Sequence, residues 1–219
     1  DAQALFGSDF ELWKGELVAV IGANGAGKST VLKSLTGLVR VPRESVWWKG
    51  EAIGGLPPGE IVRKGLAMVP EGRRLFPSLS VEENLLAGSL ARRPGPWNLR
   101  RIYQMFPILQ EKRHQGGTSH SGGQQQMVAI GRALMSNPEL LLCDELSLGL
   151  APIVIREIYE AMPQIAAEGM SVVIVEQDVS LAQRVARRLY CLQEGRVSLQ
   201  GECQALSREQ ISRAYFGME

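Results

Sequence analysis

The sequence predicts an α/β fold, a mostly parallel sheet covered by helices on both faces. Three observations carry that prediction. Residues 16–35 pass without a gap from an apolar, β-branched run (Leu17 to Ile21) through a Gly-rich turn into a helix opener (Val31 to Leu35). Further short apolar runs, Leu140 to Cys143 and Ser171 to Val175, each end in carboxylates and alternate with helical stretches, as strands buried on both faces do. The 219 residues, 45% hydrophobic and 21% charged, suffice for one sizeable core with a smaller appended lobe.

The turn between Ile21 and Val31 reads Gly22, Ala23, Asn24, Gly25, Ala26, Gly27, Lys28, Ser29, Thr30, a complete G-x-x-x-x-G-K-[ST] phosphate loop. Its glycines let the backbone curl so that successive N–H groups point at phosphate oxygens, and the helix starting near Lys28 adds the positive end of its dipole. Lys28 is placed to reach the β- and γ-phosphates, and Ser29 offers a hydroxyl to Mg²⁺. A turn that merely caps a helix would require none of this set, so the loop predicts binding of a nucleoside triphosphate.

The elements follow in order. Phe10 to Trp13 reads as a strand leading into the loop-bearing one, and the first ten residues carry two Asp and no basic leader. Val46 to Gly50 reads as a strand closed by a turn, Glu60 to Lys64 as a short helix ending at Gly65, and Leu66 to Pro70 as a brief strand cut off by proline. From Glu71 to about Gly117 the character turns helical, with helices starting at Ser80 and near Leu99. Ser80 with Glu83 fits a capping box, and Pro94-Gly95-Pro96 separates the two helices. Gln124 to Ser136 puts Met127, Ile130, Ala133 and Leu134 on one helical face. A helix over about Val154 to Ala167 is closed by Gly169, and another from Ser180 to Arg188 leads to strands at Leu189 to Gln193 and Arg196 to Gln200, joined by a Glu194-Gly195 hairpin turn.

Composition narrows the function. With 24 basic against 23 acidic side chains there is no nucleic-acid footprint, and the arginines 73, 74, 92, 93, 100 and 101 read as a solvated face. Trp47 and Trp48 read as edge packing. The longest apolar runs fall far short of a bilayer span. Cys143, Cys191 and Cys203 have no ligand-like spacing, which points to buried thiols in a reducing compartment, the cytoplasm by default.

Two further elements bear on chemistry. Leu140 to Asp144 has the apolar strand and terminal Asp expected beside a phosphate loop. Asp144 is then a candidate for the Mg²⁺ shell, and the adjacent Glu145 a candidate general base for an attacking water. Ser121, Gly122, Gly123 and Gln124 open a helix and make a second backbone anion site, although an ordinary Gly-rich helix cap has the same composition. A fold of this size does not need two such sites for one nucleotide. Closing a second subunit over the first would put Ser121 of each opposite the other's triphosphate.

The order of these pieces resembles the ATP-binding-cassette ATPases, and most closely the ATP-binding subunit of bacterial branched-chain amino acid importers. The residues carrying the resemblance are the phosphate loop (Walker A), Val69 to Pro77, Ser80 to Leu85, Ser121 to Leu134, Leu140 to Glu145, Ser147 to Pro152 and Val175 to Gln177. It implies a P-loop NTPase with a RecA-like core (residues 1–71 and 136–219) and an inserted helical subdomain (about 72–135), dimerising head to tail around two MgATP. It places Glu71 at the Q-loop position, where it can take part in Mg²⁺ or water coordination. It places Gln177 at the switch-histidine position, where it can bond γ-phosphate or water without titrating, and residues 148–151 at the D-loop. It further implies a second ATPase subunit, identical or a paralogue, transmembrane permease subunits docked near the Glu71 loop and helical lobe, and, indirectly, an extracytoplasmic substrate-binding protein. The expected location is the cytoplasmic face of the inner membrane, held through the permease.

Three positions depart from the family pattern. His120 replaces the usual Leu before Ser121. Leu146 replaces the usual Pro after Glu145, which frees a backbone N–H and is expected to loosen the turn that aims the carboxylate. The aromatic that stacks on adenine in this family would lie before Asp1. These departures leave open a module that closes on ATP with weak or no turnover, which ATPase rate measured beside ATP affinity would separate from an enzyme.

Overall fold

The structure, a computed structural model, describes residues 5–7 and 9–217. Among the described residues six strands form one sheet: β1 (Leu17–Ile21), β4 (Leu66–Val69), β5 (Leu140–Asp144), β6 (Ser171–Glu176), β7 (Arg188–Gln193) and β8 (Arg196–Glu202). Their order is β4-β5-β6-β1-β7-β8, and every pairing is parallel except the β7–β8 hairpin. Two short strands, β2 (Trp47–Trp48) and β3 (Glu51–Ala52), pair separately and antiparallel.

The period of two along each strand sorts the apolar residues onto opposite faces. Leu17, Ala19, Ile21, Leu141, Cys143, Val172 and Ile174 belong to one core, shared with α6 (Gly122–Leu134), α7 (Pro152–Ala167) and α8 (Val179–Val185). Val18, Val20, Leu140, Leu142, Val173 and Val175 belong to the other, with α1 (Lys28–Leu35) and α2 (Pro58–Arg63). All three cysteines are buried and free, as expected. Among the described residues no helix is long and apolar enough to cross a membrane.

Residues between β4 and β5 form α3 (Val81–Gly88), α4 (Leu99–Met105), α5 (Pro107–Glu111) and α6. The Ser80–Glu83 capping box is present in full. Helices α3 and α6 cross at Gly88, where an added Cβ would stand 1.9 Å from the Arg132 carbonyl oxygen. That neighbour is backbone and cannot swing away, so Gly88→Ala is expected to cost about 1–3 kcal/mol, read as a lower midpoint in denaturant.

Several expectations are corrected. Phe10 to Trp13 is not a strand. The Glu11 backbone bonds to side chains of β7, its N–H to the Tyr190 hydroxyl (3.3 Å) and its carbonyl to Arg188 (2.6 Å) and Tyr190 (3.1 Å), in place of a ladder. Helix α8 ends at Val185 instead of Arg188, because Arg188 is already paired with Val18 in the sheet. The helix expected from Gln124 starts two residues earlier, capped by Ser121, whose Oγ accepts from Gln124 N at 3.3 Å. Helices α5 and α9 (Arg208–Phe216) were not anticipated. Nor do all of those arginines make a solvated face: Arg93 is half-buried and bonds the carbonyls of Arg63 and Asn137 and the Glu139 carboxylate.

Candidate functional site

Parallel pairing brings the carboxyl ends of β1, β4, β5 and β6 to one edge of the sheet, where open α/β sheets bind ligands. Ile21 lies opposite Glu176 and Asp144 opposite Val175, so the segments leaving these strands converge. They line a cleft of about 480 Å³ with Asn24, Gly25, Gly27, Lys28, Ser29 and Thr30 on one side and Glu71, Glu145, Leu148 and Gln177 on the other.

The phosphate loop is shaped by close approach as much as by turning. Gly22 (φ 151°) sits where a Cβ would come within 2.3 Å of the Leu192 carbonyl oxygen. The loop is tied across its base by Ala26 N to Ala23 O (3.1 Å) and by Gly195 N to Ala26 O (3.0 Å). Ala23 is exposed and Ala26 buried beneath the loop. Lys28 is 4% exposed and folds back, donating to the carbonyls of Gly22 (2.7 Å) and Ala23 (3.1 Å) and lying 3.7 Å from Glu145 Oε1. An ammonium with three rotatable donors can exchange these partners for phosphate oxygens without moving its stem.

Ser29 Oγ donates to Asp144 Oδ1 at 3.0 Å, and Asp144 is 2% exposed. Burial pushes the Asp144 carboxyl above its usual range; the Ser29 bond opposes this, and the charges of Glu145 and Glu71 add to it. Two hard oxygen donors already side by side, under surplus negative charge, fit a small divalent cation such as Mg²⁺. Gln177 Nε2 donates to Glu145 Oε2 at 2.7 Å, joining two of the predicted residues directly.

Glu145 has a positive φ of 47°, uncommon for a residue with a Cβ. The turn after it is not loose, contrary to the expectation for Leu146. The Leu146 side chain is 1% exposed and packed in the core. Ser147 bonds Glu176 through both its N–H (3.1 Å) and its Oγ (2.7 Å). Glu176 carried no role in the sequence reading; its partners lie on other elements, so spacing gave no signal.

Ser121, Gly122, Gly123 and Gln124 do not line this cleft. They sit at the start of α6, where a Cβ on Gly122 would meet the Arg73 guanidinium (3.0 Å) and one on Gly123 would meet Val154 (2.2 Å). His120 is half-buried, its imidazole pKa pushed down by burial and by Lys112. The same helix grips the segment after Glu71: Arg132 donates to the carbonyls of Arg74 (2.8 Å) and Arg73 (3.0 Å), and its guanidinium lies over the Phe76 ring.

Comparison with known proteins agrees with this geometry. Residues 5–147 match the family model described as ABC transporter. The chain is 45% identical to the high-affinity branched-chain amino acid transport ATP-binding protein BraG of Pseudomonas aeruginosa, over 98% of this chain and 94% of that one. It is 37% identical to the phosphonates import ATP-binding protein PhnC 2 of a Nostoc species, over 90% and 84%. Among solved structures, a dimeric, post-hydrolysis ATP-binding cassette bound to ADP and phosphate superposes with a TM-score of 0.79 at 25% identity, covering 93% of this chain and 92% of that one. A phosphate loop facing two carboxylates at the sheet edge, in a chain so related over nearly its whole length, leads to one assignment. The chain belongs to the ABC transporter family, as one of its ATP-binding, ATP-hydrolysing cassettes.

Proposed function

We propose that this cassette binds MgATP in the cleft at the sheet edge, hydrolyses it with Glu145, and powers uptake of branched-chain amino acids. The observation that carries the reading is the gathering of Lys28, Ser29, Glu71, Glu145 and Gln177 in one cleft while Ser121 to Gln124 stand apart on α6. Half of a nucleotide site is thereby left without its lid. A second cassette, identical or paralogous, bringing its own Ser-Gly-Gly turn over this cleft would complete it, and the dimeric relative supports that arrangement.

The backbone N–H groups from Gly22 to Thr30 would cradle the phosphates, with Lys28 moving from its loop carbonyls to the β- and γ-oxygens. Ser29 and Asp144 would hold Mg²⁺, with Glu71 facing them. When bound, the ion supplies charge neutralisation on the phosphate oxygens. Glu145 accepts the proton of the attacking water, and the Gln177 amide on Oε2 fixes the rotation of its carboxylate. Gln177 cannot carry the proton itself, so proton transfer rests on Glu145.

The cargo reading rests on the relative at 45% identity, named for branched-chain amino acids, against 37% for the one named for phosphonates. Transmembrane permease subunits would dock on the helical lobe and the Glu71 segment, holding the cassette at the cytoplasmic face of the inner membrane, with an extracytoplasmic binding protein delivering cargo. We take residues 1–71 and 136–219 as the core and about 72–135 as the helical subdomain; the absence of sheet strands between β4 and β5 supports the division. Uptake of labelled leucine by cells whose copy of this chain carries Lys28→Ala tests the whole reading. Uptake is expected to fall to background, with phosphonate uptake unchanged; the reverse pattern would reassign the cargo.

A further inference from the structure

Three successive residues at the end of β6 hold the turn that carries Glu145. The Val175 carbonyl accepts from Glu145 N at 3.0 Å. The Glu176 carboxylate accepts from Ser147, Oε1 from the N–H and Oε2 from the hydroxyl. Gln177 donates to the Glu145 carboxylate itself. Between the two held residues, Leu146 is buried in the core. A backbone at φ 47° persists when its surroundings over-determine it, and here they do so on both sides of the unfavourable residue.

Glu176 is 1% exposed, and its Oε1 also accepts a hydrogen bond from the Tyr159 hydroxyl of α7. A carboxylate this far from water is retained when its lone pairs are occupied, and here the turn and α7 occupy them. Glu176 does not line the nucleotide cleft. We infer that Glu176 is a positioning residue for ATP hydrolysis: it anchors the turn from Glu145 to Leu148 against β6 and so fixes the angle at which Glu145 meets the water, without touching nucleotide. The inference rests on the reading of Glu145 as the base.

The side-chain chemistry supplies a graded test. Glu176→Gln keeps one oxygen for Ser147 N–H and Tyr159 O–H and turns its amide donors toward Ser147 Oγ, which can accept. Glu176→Leu fills similar volume but leaves those donors unpaired. Ser147→Ala removes the Oγ bond alone. For each, and for Glu145→Gln, we would measure kcat and KM for ATP, the Kd of a non-hydrolysable ATP analogue, and the melting temperature of the purified chain. Glu176→Leu is expected to lower kcat at least about tenfold with the analogue Kd within about threefold of the parent, a misaimed base with an intact binding site. Glu176→Gln should restore kcat to within about threefold, and Ser147→Ala should lower it about threefold at unchanged Kd and melting temperature. Parental kcat in a folded Glu176→Leu overturns the inference, as does a parallel loss of Kd and kcat. If Glu176→Leu does not fold, Ser147→Ala decides alone, and an unchanged kcat there is the overturning result. A fully active Glu145→Gln would remove the base assignment beneath it, whereas an inactive Glu145→Gln beside an active Glu176→Leu removes the positioning role alone.

Discussion

Glu145→Gln is expected to bind ATP as well as the parent chain and to turn it over about 10²–10⁴-fold more slowly, the range for loss of a general base. The substitution is nearly isosteric. Its remaining carbonyl oxygen can still accept from Gln177 Nε2, now at 2.7 Å from Oε2, so the turn is kept. What disappears is the capacity to take a proton. A negative charge also leaves the neighbourhood of Lys28, 3.7 Å away, which favours the triphosphate electrostatically. With hydrolysis stopped and ATP retained, the two-cassette assembly should persist and elute as a dimer in gel filtration with ATP. Parental turnover, or an ATP-free monomer, would count against both the base and the dimer.

Lys28→Ala is expected to weaken ATP binding by at least about 100-fold, since hydrogen bonds to charged groups contribute about 1.5–3 kcal/mol each and Lys28 is placed to make more than one. Titration with a fluorescent ATP analogue measures it directly. The ammonium is nearly enclosed and bonded to the carbonyls of Gly22 and Ala23, so the loop loses these two side-chain bonds as well as its charge. Lys28→Arg is not expected to rescue, because a rigid planar fork does not fit a site built around a point charge. Affinity within threefold of the parent would mean the backbone N–H groups alone hold the phosphates.

The core was legible in sequence because its signals are local. Leu17 to Ile21, Leu140 to Asp144 and Ser171 to Glu176 are almost wholly apolar runs, each closed by a glycine or a carboxylate. The phosphate loop is equally local. Helix α5 was hidden because it is five residues long and opens on Pro107, which in sequence reads as a break. Helix α9 was hidden because, of its nine residues, Ile211 alone is buried, so it shows almost no apolar stripe. At the site, Asp144 and Glu145 followed from the strand they end, whereas Glu71 and Gln177 needed a family pattern, since a lone loop Glu or Gln is unremarkable. Glu176 was beyond reach: its partners Ser147 and Tyr159 lie 29 and 17 residues away, and only the fold brings them together. The expected looseness after Glu145 failed for a related reason, because Leu146 exchanges a proline's stiffness for a side chain anchored in the core.

The hold of α6 on the segment after Glu71 has a mechanical consequence. Thirteen residues at 1.5 Å each make this helix a rod of about 20 Å. The backbone of Arg73 is clamped from the far end of the rod by Arg132, while its guanidinium reaches Gly122 at the near end. Hydrogen-bonded at one end and packed close at the other, the segment is expected to move with the rod. A displacement of the Glu71 turn is therefore expected to reach Ser121 as a movement of the whole rod, and a displacement of α6 to reach the Glu71 turn by the same route.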